Sequence, residues 1–208
     1  MEEIEGYGIQ KAFTRLRKSA IALFGPPVEN RPVTGFFYDQ AHDVPKCAHD
    51  GPENLSIHLT PSTKSDRRQR QFQLSHEVVH TICRGQKLEA PLIEEGAAVY
   101  FSYTHDTYPD GYLSACLSIS PPWYLVAADL YDRLTQAGAD AILRLREKQP
   151  ILDEVVEADI LATVEGVSME LAECLLLPLS RWSVAIGKGQ ADPERGRDAI
   201  TRWILQGE

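Results

Sequence analysis

The sequence predicts an α+β fold, one domain of residues 1–208 with two lobes: a small mixed sheet and a histidine-bearing helix over residues 25–105, then a mostly helical lobe over 106–208. Three observations predict it. Two runs of strand character, Val33 to Tyr38 and Asn54 to Thr60, lie in the first third of the chain. The second half repeats apolar residues at helical spacing. A length of 208 residues with 43% hydrophobic content is enough to bury a sizeable core without a disulfide or metal staple.

In chain order, Ile9 to Phe24 sets Ile9, Phe13, Leu16, Ile21, Leu23 and Phe24 among lysines and arginines, which reads as an amphipathic helix ended by Gly25-Pro26-Pro27. Val33 to Tyr38 is rich in aromatic and β-branched residues, and Asn54 to Thr60 alternates as a half-buried strand does. Ser62 to Arg70 turns polar (Lys64, Asp66, Arg67, Arg68, Arg70), a solvated helix start, before Phe72 and Leu74 open a new apolar stripe. Pro121 to Gly138 carries Trp123, Leu125, Val126, Leu130, Tyr131 and Leu134 in a helical stripe, with Pro122 suited to a first turn and Gly138 to a stop. Residues 139–146, 153–164, 168–177 and 193–205 continue the helical pattern, and Trp182 and Trp203 read as core anchors. No internal repeat or low-complexity tract is evident.

Charge and cysteine usage narrow the function classes. With 21 basic and 30 acidic side chains the net charge is -9, so a general attraction to nucleic acid is absent and no nucleic-acid partner is expected. No stretch approaches the roughly 20 apolar residues of a membrane helix. The first residues carry Glu2, Glu3 and Glu5 and then scattered bases, without the apolar core of a signal peptide. Cys47, Cys83, Cys116 and Cys174 form no CxxC pair and read as small buried hydrophobes. A cytoplasmic protein with free thiols is the expectation.

The chemistry lies in Leu74-Ser-His-Glu-Val-Val-His80. Residues four apart share a helix face, so His76 and His80 can present two imidazoles to one ion while Glu77 reaches a water beside it. A catalytic zinc site needs a third protein ligand and an open position. Pro91 to Ser102 supplies paired acids followed by Gly96, Ala97 and Ala98, residues small enough for close helix approach. Glu95 shares its face with Ala98, Val99 and Ser102, a stripe that could pack on the first helix, and is preferred over Glu94, which would support a metal-bound histidine from behind.

The pair Ser-His-Glu-Val-Val-His followed by Ile-Glu-Glu-Gly-Ala-Ala-Val-Tyr resembles the gluzincin metallopeptidases over about residues 55 to 105. The resemblance implies a zincin-like lobe with His76, His80 and Glu95 as zinc ligands and Glu77 as general base. The expected activity is hydrolysis of a peptide or protein substrate; a regulatory module that binds metal without catalysis is the alternative. It also implies that the strand before the motif, Asn54 to Thr60, is the edge on which an extended peptide lies, with His58 facing substrate or core. Only 14 residues separate His80 from Glu95, and Val99 stands where some gluzincins place a second acid. Tyr100, Tyr103 and His105 are the available oxyanion donors. Arg68 to His80 is also similar to the ImmA/IrrE class, whose third ligand lies in an "E…A…LLxP" segment. Glu165 to Pro178 has that shape, so Glu165 rivals Glu95. Finally, residues 160–172 loosely resemble a phosphate-binding helical hairpin, against which Glu165, Glu170 and Glu173 argue by repulsion.

Overall fold

The computed structural model describes residues 1–4, 7–27, 29, 31–51, 53–83, 89–105, 108 and 111–207, and it is α+β. It divides into two compact units, Met1–Ile82 and Cys83–Glu208, so the break falls at 82/83 and not at the 105/106 expected from the sequence. Residues 84–88 of the 14-residue connection between His80 and Glu95 lie outside the described residues.

The first unit holds β1 (Glu2–Glu3), α1 (Tyr7–Phe24), β2 (Val33–Tyr38), β3 (Lys46–His49), β4 (Leu55–Leu59) and α2 (Arg67–Cys83). Its four-stranded sheet runs in the order β1-β2-β4-β3, with β2 and β4 parallel and both outer strands antiparallel to their neighbours. This corrects the expectation for residues 54–60. The strand before the histidine motif is paired on both sides, and the edges are the short strands β1 and β3. β4 is buried at all five positions and not half-buried as its alternation suggests, and a ladder partner made by a stretch such as Lys-Cys-Ala-His leaves no periodic signal.

The buried residues of α1, namely Ile9, Phe13, Leu16, Ala20 and Phe24, recur every three or four positions. Phe13 meets Phe36 of β2 edge to face with ring centroids 5.5 Å apart. Phe36, Ile57 and Cys47 occupy successive paired positions in the sheet and are all buried. At the start of α2, one Asp66 carboxylate oxygen accepts from the backbone N–H groups of Arg68 (2.8 Å) and Gln69 (3.1 Å), satisfying two of the donors a helix leaves open. Arg70 turns back to the carbonyls of Thr63 and Lys64, while Arg67 and Arg68 stay exposed. From Leu74 to Cys83 every residue of α2 is buried, so its polar side chains are interior groups.

The second unit comprises α3 (Leu92–Thr104), α4 (Tyr112–Ser118), α5 (Pro122–Ala137), α6 (Ala141–Lys148), α7 (Glu157–Thr163), α8 (Met169–Leu175), α9 (Trp182–Gly187) and α10 (Pro193–Gly207). Among the described residues no helix is long and apolar enough to cross a membrane. Helix α5 is the hub, with α3 and α10 packed on it. Both approaches depend on a missing side chain. A Cβ at Gly96 of α3 would lie 2.5 Å from Tyr131 Cβ and 2.6 Å from the Ala127 carbonyl oxygen, and one at Gly196 of α10 would lie 1.8 Å from the Leu125 carbonyl oxygen. Gly96 thus serves the approach to α5, and α3 packs with the C-terminal helices.

Polar pins hold α10 as well. Asp132 accepts from Trp203 Nε1 (3.1 Å) and pairs with Arg202 (2.7 Å), and Asp129 accepts the Asp192 backbone N–H (2.8 Å) and pairs with Arg195 (3.2 Å). Trp203 is a buried anchor as expected; Trp182 is only half-buried. Cys47, Cys83 and Cys174 are buried and Cys116 is half-buried, all as free thiols. Burial pushes the Cys83 thiol up to about 12, with Glu94 adding to the rise and Arg146 opposing it, so this residue one turn past His80 is an inert packing group at neutral pH.

Candidate metal centre

Helix α2 delivers His76 and His80 from successive turns. Their Nε2 atoms stand 3.3 Å apart, with ring centroids at 5.1 Å and planes at 63°. The two nitrogens are thus close enough to share one ion. Glu95, one turn into α3, completes a group in which each residue offers a ligand atom and all the atoms lie within 4.8 Å of one another. All three residues are buried, at 5–7% exposure. Two imidazoles and a carboxylate form a donor set for a divalent ion, and the buried group could hold one.

Glu77, adjacent to His76, is 1% exposed, and Glu94 is fully buried. Glu94 acts electrostatically on the Cys83 thiol. Glu165 is not part of the cluster. It sits exposed in the turn before α8, beside Gly166 at φ 84°. The rivalry between Glu95 and Glu165 is a question about two positions of similar local sequence, which only the packing of α3 and α8 decides.

The candidate oxyanion donors are committed elsewhere. Tyr103 is buried with its hydroxyl on Ser120 Oγ at 2.9 Å, and burial pushes its pKa up. Tyr100 packs against Tyr131 and Trp203 at centroid distances of 5.3 and 5.1 Å. The His105 ring stacks on Phe101, with Nδ1 2.6 Å from the Phe101 carbonyl oxygen. At 1.5 Å of rise per residue these three lie roughly 8–15 Å along α3 from Glu95.

His58 faces the interior of the first unit. Its Nδ1 is 3.1 Å from Asp39 Oδ2 and its Nε2 3.0 Å from Ser56 Oγ, while Asp39 also accepts the Ala41 backbone N–H (3.0 Å) and pairs with Lys46 (3.2 Å). The Ala41 N–H, followed by His58 and Lys46, holds Asp39 well below the usual carboxylate range against the opposing effect of burial. An ionised Asp39 makes Nδ1–H the donor, so Nε2 accepts from Ser56. Burial lowers the His58 pKa, with the Asp39 hydrogen bond acting in the opposite direction. Spacing alone did not reveal this network, because Asp39 joins β4 from the end of β2.

A pH dependence follows. Below the ordinary histidine value the unfolded chain takes a proton that folded His58 refuses, so stability falls as pH drops from that value toward the lowered value of folded His58. The Asp39 contribution, present above the ordinary carboxylate value, is lost only at still lower pH. Thermal unfolding of wild type beside His58→Gln should show a shallower decline for the variant across this window. Parallel curves would place the titration elsewhere.

No family model matches the chain, and no curated protein or solved structure matches it either.

Proposed function

We propose that the chain is a zinc-dependent metallopeptidase, with His76, His80 and Glu95 as zinc ligands and Glu77 as general base. The observation that carries the reading is the convergence of the two Nε2 atoms at 3.3 Å with a buried carboxylate in reach. Two nitrogens, each about 2.0–2.1 Å from one tetrahedral zinc, stand about 3.3–3.4 Å apart. The donor set therefore fits zinc without rearrangement of the histidines. Three protein ligands also leave a tetrahedral ion one open position.

Zinc held there supplies Lewis acidity, which polarises a carbonyl and brings the pKa of a water toward neutrality. Glu77 then does the proton work: its carboxylate takes the proton from the attacking water and delivers it to the departing amine, so one group serves as base and then acid. An extended peptide would pair along β3, the edge strand next to β4, its main chain adding a strand and its side chains alternating between faces. The buried free thiols suit a reducing cytoplasm.

One observation favours a second reading. Glu77 is 1% exposed and the ligands nearly as buried, which suits a metal held for structure or regulation without turnover. Elemental analysis of purified wild type, His80→Ala, Glu95→Ala and Glu165→Ala tests what both readings share. The expected result is about one zinc per chain, lost with His80, strongly weakened with Glu95 and unchanged with Glu165. A wild type that takes up no zinc on reconstitution would sink both readings.

A further inference from the structure

The leucine-proline segment that made Glu165 a rival ligand comes back in another role. Helix α3 begins at Pro91, which has no N–H and no capping side chain. Its entry is held instead by an antiparallel bridge across two prolines, Pro91 and Pro178. Leu92 N–H donates to the Leu177 carbonyl at 2.8 Å, and Leu179 N–H donates to the Ala90 carbonyl at 3.0 Å. Ser180 Oγ adds a hydrogen bond to Glu89 Oε2 at 2.6 Å. The far side of the bridge is anchored by α8, with Leu171, Ala172, Cys174 and Leu175 buried and Ser168 capping its start through the Leu171 N–H.

Glu95 lies three residues past Leu92, and its own N–H bonds to the Pro91 carbonyl at 3.1 Å. A shift of the bridged residues thus passes through one helical turn into the carboxylate. Metal ligands tolerate displacements of only about 0.2 Å, and loss of a supporting contact typically weakens metal binding by about 10–100-fold.

We propose that the bridge between residues 90–92 and 177–179 is a positioning element for the Glu95 carboxylate and sets the metal affinity of the His76, His80 and Glu95 group. The inference rests on the metal-binding reading above. It assigns Leu179, through its backbone N–H, a part in metal binding far from the histidine motif.

The geometry offers a clean removal of that N–H. Pro178 is extended (ψ 151°), as a residue before proline must be, and Leu179 opens a short 3-10 turn where its N–H has no helical partner. Leu179→Pro therefore deletes the donor to Ala90, and Leu179→Ala removes the side chain while keeping the donor. Zinc affinity is measured by competition with a chromophoric chelator, alongside the visible spectrum of the cobalt(II)-substituted proteins and thermal unfolding of the metal-free forms. The expected result is zinc binding at least about tenfold weaker in Leu179→Pro than in Leu179→Ala, at matched metal-free unfolding temperatures, with a cobalt spectrum moved toward that of Glu95→Ala. Equal affinities would overturn the proposal, because a merely structural bridge alters unfolding and leaves the ion alone. Should Leu179→Pro fail to fold, Ser180→Ala decides: weaker zinc binding than wild type supports the bridge, and unchanged binding overturns it. A wild type that binds no zinc overturns the metal reading itself, an outcome distinct from a wild type that binds and a bridge variant that binds equally well.

Discussion

Glu77→Gln should lower peptide hydrolysis by about 10²–10⁴-fold while the zinc content stays at the wild-type level. Glutamine keeps the shape of the side chain and loses only the ability to take a proton. Glu77 adjoins His76 in α2 but is not in the group of ligand atoms formed by His76, His80 and Glu95. The measurement is cleavage of a fluorogenic peptide library by zinc-reconstituted wild type and variant, with metal content determined on the same samples. Hydrolysis that survives the substitution would move the base elsewhere. A wild type that holds zinc and cleaves nothing, with a variant of unchanged biological effect, would favour the regulatory reading.

Gly96→Ala should destabilise the chain by about 2 kcal/mol and weaken metal binding as well. Two effects oppose each other. Alanine in place of glycine within a helix gains roughly 1 kcal/mol of propensity. The added Cβ, however, would sit 2.5 Å from Tyr131 Cβ and 2.6 Å from the Ala127 carbonyl oxygen. No side-chain rotation relieves contacts with a Cβ and a backbone oxygen, so α3 must move off α5, and overpacking of this kind costs about 1–3 kcal/mol or more. Because Glu95 is the preceding residue, the displacement carries its carboxylate along. Gly196→Ala is the control, since its Cβ would meet the Leu125 carbonyl on α10's side of α5. It should lose stability with metal affinity unchanged. Denaturant midpoints of the metal-free proteins and zinc titrations of the folded ones separate the two effects; a Gly96→Ala variant as stable as wild type would refute the close-approach argument.

What could be read from the sequence was whatever depended on local periodicity. The stripe in α1, the strands β2 and β4, and helix α5 between Pro122 and Gly138 all follow from residues within a few positions of one another. The convergence of His76 and His80 was legible for the same reason, being a property of one helix turn. Some short elements escaped: β3 and α9 span too few residues for a period to emerge, and α4, no shorter than α7 and α8, carries no apolar stripe that marks it. Long-range partners escaped too. Nothing near Asn54 to Thr60 says that β3 will cover its outer side, and nothing near Gly96 says that the neighbour requiring its missing side chain is Tyr131. The choice of Glu95 over Glu94 rests on counting around a helix, where carboxylates one residue apart point about 100° apart. The contrast with Glu165 needed the packed chain, where Glu165 lies exposed and the segment behind it braces α3.

The indole of Trp203, bonded to Asp132 and flanked by Tyr100 and Tyr131, gives the last helix an optical signature. Trp123 and Trp182 are half-exposed, so the blue edge of the emission belongs to Trp203. Undocking of α10 moves that component to the red and severs energy transfer from the two tyrosines, which makes detachment of the C-terminal helix observable by fluorescence before the rest of the chain unfolds.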